Sequence, residues 1–387
     1  MGSSGKCNHA AEHIKRGKAH VAHPRRGYAF IAVEPLFLGG VEVAIKGTGV
    51  AAGISHAPPP FRRTEEASSA DGVIFSFAHG SNKLIFGPFM KTLSRTLIAW
   101  LALVMFASAA DRPNIVFYFI DDLGWTDVSF MGSKYYETPH VDRLAREGMK
   151  FMDAYACAPN CAPSRACLMS GLYGPRHGVF TVGNSDRGQA KFRKLIPTKN
   201  TTELADKFVT VAELLQSAGY VTATMGKWHL GSDPTKQGFD VNIAGKHWGS
   251  PSGGGYHSPY NYPNLVNKEK GEYLTDRLGQ EACKFIEANK DKPFFLYLTH
   301  YAVHTPIQSK PELKAKYQKK PTVGGHTNAA YAGMIESMDD SIGAVQATLE
   351  RLNLDDNTIV IFFSDNGGHG GVTSNAPLRG SKGMLYE

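Results

Sequence analysis

The residues best suited to chemistry form the short motif Cys161-Ala-Pro-Ser-Arg165. The cysteine lies just before a predicted helix start, and Arg165 follows one turn later. The helix dipole and a fixed cation would therefore favour a thiolate or a bound oxyanion. A buried structural cysteine is the alternative, but the continuation of the motif through residues 166–171 makes it the weaker interpretation.

Carboxylate and amide residues follow two apolar runs of the sequence. Asp121 and Asp122 end the first run, and Asp365 and Asn366 end another. In a regular strand the side chains of Asp121 and Asp122 would point to opposite faces unless the backbone breaks there, and an isolated Asp-Asp pair is often a solvated turn. The four oxygen-bearing side chains together favour Ca²⁺ or Mg²⁺ over a transition metal.

Basic residues follow two further apolar runs: Lys227 and His229 after one, His300 and His304 after the other. Lone histidines are more often packing or surface residues, and lysines usually face solvent. No motif assigns a role to His300 or His369. In open α/β sheets, however, ligands bind at the carboxyl ends of the strands, so one site built from four distant segments is the simplest inference.

The elements that must position these residues are short apolar runs alternating with segments of helical period. This pattern is typical of an α/β domain with a mostly parallel central sheet and helices on both faces. Thr138 is expected to cap the first helix and Gly148 to end it. Strands are predicted at 114–120, 220–225, 293–298 and 358–363, and helices at 139–148, 209–218, 274–289 and 329–352.

The basic charge of the 387-residue chain is concentrated at its front. Residues 1–110 contain 12 Lys and Arg against 6 Asp and Glu, or +6 of the total of +7, which leaves +1 for the rest. No basic patch interleaved with aromatic residues follows Asp111. We therefore expect no nucleic-acid partner.

Residues 90–110 are typical of a secretory signal peptide. Lys91 and Arg95 precede an apolar stretch at 97–106 and small residues at 107–110, so cleavage is expected near residue 109 or 110. The apolar stretch is too short for a stable membrane anchor. We predict a secreted or periplasmic protein in which 1–89 is an unstructured, non-native upstream extension and 111–387 is the catalytic domain.

Five cysteines occur, at positions 7, 157, 161, 167 and 283. They are too few for a disulfide scaffold. Cys157 and Cys167 are poorly spaced from Cys161 for a zinc site. Whether these two residues are free, buried or paired stays open.

The cysteine motif, followed by Leu168-Met169-Ser170-Gly171, resembles the signature of type I, formylglycine-dependent sulfatases in the alkaline phosphatase superfamily. The resemblance runs from about Arg112 to the last residue, and the family continues into a smaller C-terminal subdomain. We therefore expect that subdomain to be missing and the chain alone to have little or no turnover. Further segments that resemble the family in order and spacing are 114–124, 138–142, 226–231, 304–306, 364–367 and 378–382.

The resemblance implies that a dedicated maturation enzyme converts Cys161 to formylglycine, whose hydrated aldehyde is the nucleophile. It also implies a bound Ca²⁺, with Mg²⁺ as the alternative. Arg165 and Lys227 would steady the modified side chain and the anion. His229 would be the base, while His304 and Lys382 would bind sulfate and help protonate the departing oxygen. The implied metal ligands are Asp121, Asp122, Asp365, Asn366 and the modified side chain at Cys161.

The expected function is a sulfuric ester hydrolase that cleaves sulfate monoesters. The alternative functions are a phosphonate monoester or phosphodiester hydrolase of the same superfamily, or an inactive fragment. A non-catalytic glycan-binding relative would be expected to lack a metal ligand, whereas all are present. Aromatic residues in 248–262, interleaved with Gly253-Gly254-Gly255, could stack on a sugar ring and suggest a sulfated carbohydrate or small-molecule substrate.

Overall fold

The computed structural model describes residues 29–33 and 112–385. A five-stranded sheet, in the order β5-β4-β6-β2-β7, forms its centre, and all its neighbouring strands are parallel. The fold prediction is thus confirmed. The strands are β1 Ala29–Val33, β2 Asn114–Ile120, β3 Met149–Ala154, β4 Val221–Gly226, β5 Val241–Ile243, β6 Phe294–Thr299 and β7 Thr358–Ser364.

Helices cover both faces of this sheet. Side chains of β2 alternate between two cores, as the pleat requires. Val116 and Ile120 pack in one core, with residues of the helices 274–288 and 329–351. Phe119 packs in a second core, with Ala166 and Met169. The helices are α1 Pro139–Glu147, α2 Cys161–Ser170, α3 Gly174–His177, α4 Val211–Ser217, α5 Leu274–Ala288, α6 Pro311–Gln318 and α7 Ala329–Arg351.

The four predicted strands and four predicted helices are all present, with their ends shifted by a residue or two. Strong apolar periodicity explains this agreement. Strand β3 was not predicted, because its six residues are mostly exposed and show no alternation. The short β5 and the helices α3 and α6 were also missed.

The start of α1 differs from the prediction. Thr138 occupies the N-cap position, but its side chain makes no capping bond to the helix and instead accepts from the Ser129 N–H at 2.8 Å. The free N–H groups of His140 and Val141 donate to the carboxylate of Asp339 on α7, at 3.0 and 2.8 Å. A distant carboxylate therefore replaces the expected local cap. Gly148 ends the helix as predicted.

Strand β1 pairs in parallel with β3. It lies within residues 1–89, for which we expected no structure. The remainder of that segment and the predicted signal peptide at 90–110 lie outside the described residues, so the domain boundaries remain predictions. Over the described ranges, no helix combines the length and apolar character needed to cross a membrane.

Candidate active site

The tips of two adjacent strands bring the carboxylates together. The N–H of Asp365, just after β7, donates to the carbonyl of Ile120 at 3.0 Å. Asp122 has a left-handed backbone with φ of 60°. This break ends the pleat after β2, so Asp121 and Asp122 both contribute to the site instead of pointing to opposite faces. The four predicted metal ligands outside the cysteine motif are all buried.

Cys161 is the first residue of α2 and is only 2% exposed. Its sulfur and one carboxylate oxygen each from Asp121 and Asp365 lie within 4.8 Å of one another. Burial raises the pKa of Cys161, and the two carboxylates add to the effect against the opposing charge of Lys227. Of the two sequence expectations, a thiolate or a bound oxyanion, the thiolate is therefore disfavoured in the unmodified residue, because burial and the two carboxylates outweigh the charges of Lys227 and Lys382.

Arg165 and Lys227 form the buried, positively charged floor of the site. Nη2 of Arg165 lies 3.0 Å from Oδ2 of Asp365, and its Nη1 donates to the carbonyl of Lys227 at 2.8 Å and to the Thr299 hydroxyl. Nζ of Lys227 lies 2.6 Å from Oδ2 of Asp121. Burial alone would raise the pKa of Asp121, but Lys227 and the other cations hold it well below its usual range.

His304 and Lys382 lie at the solvent side of the site, with side chains 14% and 17% exposed. Their Nε2 and Nζ atoms lie 3.6 and 2.7 Å from Oδ2 of Asp122. The carbonyl of Thr305 accepts from Nδ1 of His304 at 2.7 Å, which leaves Nε2 facing the site. Burial lowers the pKa of His304, partly offset by Asp121.

His229 is held on the same side of the sheet by an unusual backbone. Its φ is 62°, and its N–H donates to the carbonyl of Lys246 at 2.9 Å. Burial, with the charges of Lys227 and Arg165, lowers the pKa of His229 to about 2. The ring is therefore neutral at physiological pH, and its buried Nδ1 has no hydrogen-bond partner among the described residues.

Two buried oxygens test whether the site fits a cation. Oδ1 of Asp121 and Oδ1 of Asn366 have no hydrogen-bond donor within the described part of the chain. Nδ2 of Asn366 donates to Asp122 at 2.8 Å, so its oxygen faces elsewhere. Burial and the charge of Asp121 raise the pKa of Asp365 to about 8. Hard oxygen donors, repelling carboxylates and unpaired oxygens together fit Ca²⁺ or Mg²⁺.

A buried network that the sequence did not indicate supports the turn after β2. Asp127 accepts from the N–H of Gly124 at 2.8 Å and from the hydroxyls of Tyr331 and Thr373 at 2.7 and 2.6 Å. The Tyr331 hydroxyl also contacts the carbonyl of Asp122 at 3.2 Å. Isolated polar residues this far apart in the chain form no recognisable pattern. His300 is also buried, with Nε2 3.1 Å from the Ser341 hydroxyl.

The aromatic loop has a different role from the one expected. Tyr256, Tyr260 and Tyr262 are at most 4% exposed and belong to the main core, so they cannot stack on a sugar. The Tyr256 hydroxyl instead donates to the carbonyl of His304 at 2.8 Å and so supports that histidine's loop. Of the tyrosines and tryptophan in this loop, only Trp248 is partly exposed.

The chain is similar to known proteins in sequence and in fold. The family model described as "Sulfatase" matches residues 113–387. A "Sulfatase" of Formosa agariphila is 36% identical over 72% of this chain and 62% of its own length. Human N-acetylgalactosamine-6-sulfatase is 34% identical over 67% of this chain and 51% of its own. The chain thus spans about half to two thirds of these relatives.

Among solved structures, Ps i-CgsB is similar, with a TM-score of 0.59 and 33% identity over 72% of this chain and 64% of that one. The same protein has been solved in complex with k-i-k-neocarrahexaose.

Proposed function

The chain belongs to the sulfatase family of the alkaline phosphatase superfamily, and on that premise we propose that it hydrolyses sulfate monoesters with a hydrated formylglycine made from Cys161 and a bound Ca²⁺. The observation that carries this proposal is the cluster of the Cys161 sulfur with oxygens of Asp121 and Asp365 within 4.8 Å. Two relatives, an N-acetylgalactosamine-6-sulfatase and a protein solved in complex with k-i-k-neocarrahexaose, support a sulfated carbohydrate as substrate.

The cation would be held by oxygens of Asp121, Asp122, Asp365 and Asn366 together with position 161. When bound, Ca²⁺ lowers the pKa of a coordinated hydroxyl and neutralises sulfate charge, and Mg²⁺ is the alternative ion. The unpaired buried oxygens of Asp121 and Asn366 support this ligand set.

The modification explains why a cysteine occupies a site that suppresses thiolate formation. The hydrated aldehyde offers one hydroxyl to bond to sulfur and a second whose proton loss lets sulfate leave and the aldehyde return. A plain serine or cysteine lacks the second hydroxyl and would be left sulfated. The high pKa of the Cys161 thiol therefore does not count against catalysis.

The surrounding side chains divide the remaining tasks. Arg165 and Lys227 are fully buried cations that would orient the side chain at position 161 and attract the anion. His229 has an unpaired ring nitrogen, and we assign to it the proton of the second hydroxyl. Its lowered pKa makes it a weak base in the unliganded site, where Lys227 and Arg165 oppose its protonation. His304 and Lys382, at the solvent side, would bind sulfate and protonate the departing oxygen.

The rest of the proposal concerns the protein in its cell. We propose that residues 90–110 direct export, that 1–89 lie upstream of the natural start, and that 111–387 form the catalytic domain. The protein would be secreted or periplasmic and would meet a formylglycine-generating maturation enzyme before it meets substrate.

The test is mass spectrometry of the tryptic peptide 151–165, taken from the chain produced together with a formylglycine-generating enzyme. We expect an aldehyde at position 161, and the Cys161→Ser variant is the matched negative control. An unmodified thiol in the wild-type peptide would overturn the proposal. Relative rates on an aryl sulfate and an aryl phosphodiester, measured on aldehyde-bearing protein, would separate sulfatase activity from phosphodiesterase activity.

A further inference from the structure

Two cysteines that the mechanism does not use lie in contact beside the active-site helix. Cys157 is exposed, on the segment between β3 and α2, and Cys167 is buried on α2 itself. The two thiols lie close enough for each to affect the other's pKa. Contact between two thiols, one open to solvent, is the arrangement that disulfide exchange requires.

His177 completes the arrangement. Its Nδ1 accepts from the N–H of Val179 at 3.1 Å, so the proton of the neutral ring is on Nε2. Nε2 lies 3.3 Å from the sulfur of Cys167, and the carbonyl of Leu172 also accepts from this ring. The N–H of Gly174 is a further donor to the same sulfur. The ring of His177 and the N–H of Gly174 therefore converge on the sulfur of Cys167, which also lies beside Cys157.

The two thiols differ in pKa, and a stepwise exchange needs one thiol that ionises more readily than the other. The hydrogen bond between the two thiols lowers the pKa of Cys157 to about 7, while the same bond and burial raise the pKa of Cys167. Cys157 is thus the nucleophile and Cys167 the second thiol. Cys161 is buried, whereas Cys157 is exposed, so an oxidant in solution reaches Cys157 first.

A metal site does not explain the cluster. Among the described residues, only the side chains of Asp121, Cys161 and Asp365 gather three ligand atoms within 4.8 Å. Cys157, Cys167 and His177 do not meet that condition, and a structural zinc site needs four ligands.

We propose that Cys157 and Cys167 are a redox-active pair, converted to a disulfide by exchange with a small-molecule or protein disulfide. The thiolate of Cys157 attacks one sulfur of the oxidant, forming a mixed disulfide and releasing one thiolate. Cys167 then gives its proton to that released thiolate and attacks the Cys157 sulfur, which expels the second thiolate. The oxidant disulfide is reduced to two thiols, and the protein gains one sulfur–sulfur bond.

The bond would close a ring of residues 157–167, which contains Cys161 and Arg165. It would tie the segment before α2 to the body of that helix and so restrict the unfolded chain. The inference does not depend on the proposed hydrolase activity, because it concerns only the two thiols and their donors.

The experiment compares the full chain treated with oxidised glutathione or with dithiothreitol, then alkylated and digested with trypsin. We expect peptides 151–165 and 166–176 to be linked only after oxidation, with fragment ions assigning the bond to Cys157, and a thermal midpoint a few degrees higher than in the reduced chain. Cys283→Ala is the matched control and should keep the link, whereas Cys157→Ala should lose it. Full alkylation of both residues after oxidised glutathione, or a bond through Cys161, would overturn the proposal, and this readout needs only the wild-type chain.

Discussion

The backbone N–H of Asp122 donates to Oδ1 of Asp365 at 3.1 Å, which joins the tips of β2 and β7. The other oxygen of Asp365 lies 3.0 Å from Arg165. A proposed metal ligand is therefore fixed on both oxygens by the fold itself. Such preorganisation is what a tight cation site requires.

Asp365→Asn should weaken Ca²⁺ binding, because an amide lacks the charge and offers only one oxygen. Loss of groups that merely support ligands costs about 10–100-fold in metal affinity, so we expect a decrease of at least about tenfold. Isothermal titration of Ca²⁺ into both proteins would measure it. Asp291→Asn, which changes a side chain that is 81% exposed, is the control. Equal affinities in all three proteins would contradict the assignment.

Arg165→Ala should destabilise the fold strongly, since it removes the buried cation that lies 3.0 Å from the Asp365 carboxylate. Breaking a buried ion pair costs about 3–5 kcal/mol. Urea denaturation would give the free energy of unfolding. Arg351→Ala removes a pair with Glu287 whose side chains are 56% and 47% exposed, so it should cost at most about 1 kcal/mol. Similar losses in both variants would count against a buried charge network.

Gly226→Ala should displace Lys227 and weaken the sheet. A Cβ at Gly226 would lie 1.9 Å from the carbonyl oxygen of Thr299, and its φ is 110°. Backbone strain and overpacking each cost about 1–3 kcal/mol. Gly271→Ala, with φ of 84° and open space around the added Cβ, isolates the backbone strain, about 1–2 kcal/mol. Equal free energies of unfolding for the two variants would show that the close approach to Thr299 is unimportant.

His304→Ala should reduce sulfate release most for substrates with poor leaving groups, which need a proton on the departing oxygen. General acid catalysis contributes about 10²–10⁴-fold, and we expect a loss in that range for an alkyl sulfate but a much smaller one for a nitrophenyl sulfate. Because we expect slow turnover from this chain alone, the rates should be measured as single turnovers, with protein shown to carry the aldehyde in excess over substrate. His369→Ala, at an exposed histidine with no assigned role, is the control. An equal loss of rate for all leaving groups would mean that His304 binds sulfate but does not protonate the departing oxygen.

Asp339 should make stability fall as pH rises. Burial raises the pKa of Asp339 from 3.8 to about 7 in the folded protein. The hydrogen bonds from the N–H groups of His140 and Val141 oppose this rise but do not cancel it. The folded state therefore binds the proton more tightly, and stability is lost between these two values, by about 1.4 kcal/mol per pKa unit. Asp339→Asn cannot titrate, so its free energy of unfolding relative to wild type should rise over that interval. Parallel pH curves for the two proteins would exclude the effect.

Much of the site could be predicted because its residues follow the ends of parallel strands. Asp121, Lys227 and Asp365 each come directly after an apolar run, and such strands end at one edge of the sheet. The pattern of apolar runs could not give the distances between the site residues or their charge states. The sequence indicated only that both aspartates could face the site if the backbone broke there. The left-handed backbone of Asp122 is that break.

The features that were missed depend on contacts across long stretches of chain. Asp339 caps α1 from 198 residues away, and Thr373 bonds Asp127 across 246 residues. Tyr260 and Tyr262 lie in a Gly-rich segment whose composition suits a surface loop and a core equally. Only the tertiary structure decides between the two, and it buries both side chains.

The strand order β4-β6-β2-β7 sets the distances between the strand tips that carry the site residues. The tips bearing Asp121 and Asp365 belong to neighbouring strands, and the tip of β6 lies between them and the tip bearing Lys227. Main-chain hydrogen bonds set each interval between neighbouring strands, about 4.8 Å. Side-chain replacement cannot widen that interval, so the space for a small tetrahedral anion is dictated by the polypeptide backbone itself. Discrimination between larger molecules that carry the same anion must then arise in the loops above the sheet, which can vary without disturbing it.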